Sequence, residues 1–158
     1  MSFKSKRIIV SMVAGVALLI AYLIYALGSS APASTDIKGW AIAILIFIGI
    51  AIVATIIITI LFHILYSIGV AVKERDKDDK EVERIIESNV MEDERDKEIE
   101  MKSSRVGYFC AGLGFIVSLA AIALGGSVLL GINIILASFF IGSFAEGVAS
   151  IYQYERGV

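Results

Sequence analysis

The 158-residue chain has one proline, one cysteine and one histidine, and each scarcity removes a class of structure or chemistry. With Pro32 alone, long helices run uninterrupted outside a single loop. Cys110 alone excludes an intrachain disulfide and CxxC redox chemistry, and within an apolar run it reads as a small packing residue. His63 alone excludes a haem held by two histidines of one chain and clustered histidine metal sites. Charge is missing from three long stretches, 8–35, 39–72 and 106–145, although 14 Lys+Arg and 16 Asp+Glu nearly cancel over the whole chain. The net charge of −2 says little about partners. The placement of the charges says much. What the chain does have is apolar sequence, 58% hydrophobic with a mean hydropathy of +0.84. A soluble domain of this length cannot bury that much, and the composition predicts an all-α integral membrane protein.

A helix crossing roughly 30 Å of hydrocarbon at about 1.5 Å per residue needs about 20 apolar residues. The first uncharged run holds one such helix, ended by Gly28-Ser29-Ser30-Ala31-Pro32, and Thr35 or Asp36 is placed to cap the next. The second run is too long for the hydrocarbon alone, so its last turns should emerge from it. The third run is long enough only for a hairpin, with its bend at Gly125-Gly126-Ser127, followed by Gly131 and Asn133. The prediction is four transmembrane helices near 8–27, 39–62, 106–126 and 130–152 in a single membrane domain. Lys4, Lys6, Arg7, the basic residues of 73–105 and Arg156 lie on one side, against Lys38 alone on the other. The positive-inside bias then puts both termini and the long loop in the cytoplasm of a multi-pass cell-membrane protein. Tyr22, Tyr25 and Trp40 fall near the outer interface, and Phe3, Tyr66, Tyr108, Phe109, Tyr152 and Tyr154 near the inner one. Residues 4–7 with Ala31-Pro32-Ala33 also fit a signal peptide, but an apolar stretch of about 20 residues is long for an h-region.

Segment 73–105 carries 9 basic and 13 acidic side chains and neither Gly nor Pro. Helix formers with pairs such as Glu98 and Lys102 at i,i+4 predict a charged cytoplasmic helical hairpin that extends the second and third spans. Ser88-Asn89 divides it, Asn89 to Glu92 has capping-box spacing, and Glu-Arg-Asp-Lys occurs in each proposed arm, at 74–77 and 94–97. Asp76, Asp78 and Glu87 follow an EF-hand register, yet Glu81 stands where the sharp turn needs Gly, which opposes calcium binding. The acidic excess argues against nucleic acid. A mixed-charge helical surface suits a cytoplasmic protein partner.

Ionisable groups inside a span are functional candidates by default, and here they are Glu146 and His63, both near the inner edge. Glu146 could meet His63, Arg105, Arg156 or interfacial Tyr and Ser hydroxyls. One reading makes Glu146 a polar contact that fixes helix register; the other makes it a proton or cation site of a small oligomeric transporter or channel. An enzyme is disfavoured, since the spans offer one Glu and one His where catalysis needs paired carboxylates, thiols or a nucleophile with a base. No phosphate-binding loop is present, and no cofactor or metal is expected. Small residues four apart, at Ala17 and Ala21, Gly107 and Ala111, Gly114 and Ser118, Ser138 and Gly142, and Ser143 and Gly147, permit close helix approach, including self-association. Three charges at 4–7 are fewer than a usual lipid-recognition cluster.

Asp93-Glu94-Arg95-Asp96, then Ile99, Arg105 and Tyr108 at the entry to a membrane helix, resemble the signature of a family of small archaeal and bacterial four-helix membrane proteins, a domain of unknown function. Ala145-Glu146, Ser150, Tyr152, Gln153, Tyr154, Arg156 and Gly157 resemble the close of the same family, with Glu155 departing from its pattern. The resemblance covers about the last third of the chain and matches the first half only in hydropathy. It implies a four-helix fold and marks Asp93, Glu94, Arg95 and Asp96 as candidate docking residues. It also implies a membrane partner for a small helix-turn-helix regulator, and it supplies no activity.

Overall fold

The computed structural model describes residues 3–73 and 94–156, and among these every regular element is an α-helix. Four helices follow in order, α1 (Phe3–Leu27), α2 (Ile37–Lys73), α3 (Glu94–Ala123) and α4 (Val128–Arg156), each long and apolar enough to cross a membrane. Helix starts and stops sit where local chemistry puts them. Asp36, rather than Thr35, caps α2, its Oδ1 accepting from the Gly39 amide at 2.9 Å. Ser127 caps α4 by accepting from the Leu130 amide at 3.1 Å. Between α3 and α4 the Gly125 amide donates to the Ile122 carbonyl and the Gly126 amide to that of Ala121, a Schellman closure with Gly125 at φ +91°. Only glycine adopts that conformation without strain. The bend at 125–127 is therefore where the sequence places it.

The helices run further than the predicted spans. α2 continues past 62 to Lys73, about 55 Å in all, and α3 begins at Glu94, twelve residues before the predicted span at 106. From Glu94 onward the charged segment is thus helical and continuous with the predicted third span. Its first arm, its dividing Ser88-Asn89, the capping box, the EF-hand register and Asp93 lie outside the described residues.

α3 and α4 form the tightest pair, along a seam of small residues. Gly107, Gly114 and Ser118 of α3 and Gly131, Ser138 and Gly142 of α4 are all buried. A side-chain carbon added at Gly142 would lie 2.8 Å from the Gly107 carbonyl oxygen, and one at Gly114 would collide with Ser138. Ser118 Oγ donates to the Gly131 carbonyl at 2.9 Å across the seam. Of the expected small-residue pairs, Gly114 with Ser118 and Ser138 with Gly142 supply this seam together with Gly107, whereas Gly147 faces α1 and Ser143, Ala17 and Ala21 are not buried. α1 packs on α4, with Met12 occupying the space over Gly147.

A second cluster closes α1, α2 and α4 at the end remote from the chain termini. Tyr22, Trp40, Ile44 and Leu136 are its buried members, flanked by Phe47 and Phe140. Tyr22 meets Phe47 edge-on at 5.3 Å and donates its hydroxyl to Asn133 Oδ1 at 2.5 Å. Trp40 Nε1 donates to the Ala33 carbonyl at 3.2 Å, tying the connecting loop to α2. Asn133, which in sequence belongs with the bend, stands in the first turns of α4. Elsewhere the outer surface is apolar: Ile24, Leu45, Leu65 and Phe109 are each about two-thirds exposed. Such a surface is compatible with a multi-pass membrane protein.

Candidate functional site

The site is built at the charged end of the bundle, where α1 begins, α4 ends and α3 approaches the apolar region. On α3 the residues Asp96, Ile99, Ser103 and Gly107 recur at helical spacing and form one face. Ile99 is 2% exposed and Ser103 is fully buried, although both lie in the charge-rich stretch. This face turns inward because α1 and α4 supply its partners. Lys4 forms an ion pair with Asp96, both side chains being about five-sixths buried, and the Tyr154 hydroxyl also bonds Asp96. Gln153 Nε2 donates to Ser103 Oγ at 2.9 Å. Ser5, fully buried on α1, donates to Glu155 Oε1 at 3.0 Å.

Glu146 completes the set one turn deeper. Its Oε1 accepts from Ser104 Oγ at 2.7 Å, and its side chain lies over Gly107, whose missing side chain makes the room. Of the partners open to it in sequence, a serine hydroxyl is the one it takes. Arg105 points along its own helix, with Nη2 on Met101 sulfur at 3.7 Å, and Arg156 stacks over the Tyr152 ring at 4.6 Å. On α2 the His63 carbonyl accepts from Ser67 Oγ at 2.9 Å. His63 belongs to a row of polar residues four apart, Thr55, Thr59, His63 and Ser67, in which the Thr55, Thr59 and Ser67 hydroxyls bond carbonyls one turn back. Among the described residues no group of three or more His, Cys, Asp or Glu could hold a metal ion.

The candidate docking residues divide. Asp96 is occupied within the bundle, while Glu94 and Arg95 are exposed, as are Lys97, Glu98 and Lys102. Glu98 and Lys102 pair at 2.9 Å, and the ammonium holds the exposed carboxyl below the usual carboxylate range. Alongside the polar network a cleft of about 600 Å³ opens between α1, α2 and α4, with the start of α3 at its charged end. Lys4, Arg7, Asp96 and Glu100 line its charged end, and Thr55, Thr59 and Glu146 line it deeper in.

The sequence reasoning missed Ser5 and Ser103, and it quoted Lys4 and Gln153 without bringing either to this site. The signal for Ser103 was the i, i+3, i+7, i+11 face of Asp96, Ile99, Ser103 and Gly107, in which small and apolar residues interrupt a run of charge. Comparison with protein-family models, with curated proteins and with solved structures finds no match. The likeness of 93–108 and 145–157 to a known family thus rests on those motifs alone. The structure does bring the two segments together, through Asp96 with Tyr154, Ser103 with Gln153, and Ser104 with Glu146.

Proposed function

We propose that the chain is a four-span membrane protein with both termini and segment 73–105 in the cytoplasm, acting without catalysis as an anchored docking or regulatory subunit. The outward charges of 94–102 receive a cytoplasmic protein partner. One observation carries this reading: α3 runs unbroken from Glu94 into the apolar bundle, and its charged portion is clamped to α1 through Lys4 and to α4 through Gln153 and Glu146. A partner held on the outer face of such an arm is coupled to the packing of three helices, and the coupling runs both ways. Mixed charge on that face favours orientation and on-rate over tight burial, as suits a regulated contact.

The test is mild-detergent co-purification from the native membrane with cross-linking and mass spectrometry. Wild type is compared with a variant carrying Glu94→Ser, Arg95→Ser, Lys97→Ser and Glu98→Ser, all exposed positions that leave the clamp intact. A stoichiometric partner cross-linked to 94–102 in the wild type and lost in the variant is the expected result. Equal recovery from both overturns the reading. A second reading, a small oligomeric transporter or channel using Glu146 as a proton or cation site, has in its favour that Glu146 lines the cleft with Thr55 and Thr59. Unchanged flux in Glu146→Gln removes that support.

A further inference from the structure

The cleft changes character along its depth in a way that fits an amphiphile. α1 lines it from Lys4 and Arg7 at one end to Val16 and Leu19 at the other. Arg7 to Leu19 spans about 18 Å of helix, close to the depth of one leaflet of a roughly 30 Å hydrocarbon core. The deep wall is largely apolar, with Ile58 from α2 and Phe140 and Phe144 from α4, interrupted by Thr55, Thr59 and Glu146, whose carboxylate already accepts from Ser104. The mouth carries both signs of charge. Lys4 is neutralised by Asp96, Arg7 lies near Tyr154, and the exposed Glu100 stands on the rim. A volume of about 600 Å³ falls in the range of pockets that bury one small ligand.

We propose that this cleft holds one phospholipid with a zwitterionic, amine-bearing head group from the leaflet at the charged end. Its phosphate sits by Arg7, its ammonium faces Glu100, and one acyl chain runs along the groove toward Leu19. Charge complementarity selects the head. A purely anionic lipid would place its net charge against Glu100, whereas a phosphate joined to an ammonium matches both rim residues. The recognition is by shape and paired charges, which a surface cluster of three basic residues does not require. Bound lipid fills the gap that α1, α2 and α4 leave below the start of α3, since a void forfeits contact along its apolar walls.

Glycine positions provide the test. A side chain built at Gly15, in the cleft wall, meets nothing within 4 Å, and the same holds at Gly112, outside the cleft. Gly15→Phe is therefore placed to plug the groove, its first side-chain carbon meeting no neighbour, and Gly112→Phe is its control. The full chain is reconstituted in bilayers of equal parts phosphatidylethanolamine and phosphatidylglycerol, extracted, stripped with delipidating detergent and weighed by native mass spectrometry. The expected result is a single retained phosphatidylethanolamine on wild type and Gly112→Phe, and none on Gly15→Phe. Glu100→Gln, an exposed change independent of the plug, should raise the share of phosphatidylglycerol retained, and Arg7→Gln should weaken retention of both lipids. Three outcomes overturn the proposal: equal retention by Gly15→Phe, lipids retained by wild type in bilayer proportion, or a two-chain wild-type species that Gly15→Phe dissociates.

Discussion

α2 is the most apolar of the four helices and touches α4 least, while α3 and α4, each less apolar, pack on one another along most of their length. In water the order would be reversed, because the most apolar helix has most to gain from burial. In lipid, tails are as apolar as Ile or Leu, and what holds two helices together is how closely their backbones approach. Gly107, Gly114, Gly131 and Gly142 permit that approach between α3 and α4. The bulky Ile and Leu residues of α2 do not, and α2 joins chiefly through Trp40, Ile44 and Phe47 at one end. The contrast sorts the molecule into a firm α3 and α4 pair that carries the charged arm and a looser α2 that helps open the cleft.

The sharpest way to break this contrast is to spoil the seam. Gly114→Leu, which drives a side chain into Ser138, should cost about 3 kcal/mol and separate α3 from α4. Gly112→Leu on the same helix should leave the unfolding midpoint in detergent unchanged, because nothing lies within 4 Å of its added carbon. Equal midpoints for the two variants would refute close approach as the cause.

Trp40→Ala tests the looser side. Removing this buried ring should cost up to about 3 kcal/mol and release α2 as a separate early transition, with the α3 and α4 pair still folded. Protease digestion followed through both regions distinguishes stepwise from single-step loss. Smaller changes sharpen the picture. Tyr22→Phe, which removes the donor to Asn133, and Gly125→Ala, which forces a side chain into positive φ, should each lower stability by about 1 kcal/mol in thermal unfolding.

The smallest effect belongs to the exposed pair on the arm. Lys102 lowers the Glu98 pKa, so any stabilisation from that carboxylate exists above its unfolded pKa and fades as pH falls through the lower folded value. Both groups are solvated, and Lys102→Ala should leave the midpoint between about pH 3 and pH 6 indistinguishable from wild type.

Much of the fold was legible. Uncharged runs gave four long helices, Gly125-Gly126-Ser127 gave the turn, and Asp36 was one of two caps considered. Helix faces were not legible in the same way, because nearly every position in a lipid-facing helix is apolar and periodicity carries little signal. Helix ends in the charged region were also hidden, since residues that form a solvated helix continue an apolar one without a break. At the site, Glu146 stood out as a carboxylate in an apolar run. Its partner Ser104 was one hydroxyl among several, and the Lys4 and Asp96 pair joins residues 92 positions apart, which spacing rules do not reach. The cleft arises from how the helices diverge, a property of packing with no local sequence mark.

One-sided charge underlies the docking proposal, and cysteine labelling measures it directly. In a Cys110→Ser background, Arg95→Cys on the arm and Ser34→Cys in the loop between α1 and α2 are exposed positions open to an impermeant maleimide. The account predicts that Ser34→Cys reacts in right-side-out vesicles and Arg95→Cys only in inverted ones. Labelling of both from one side, or the reverse pattern, would contradict it.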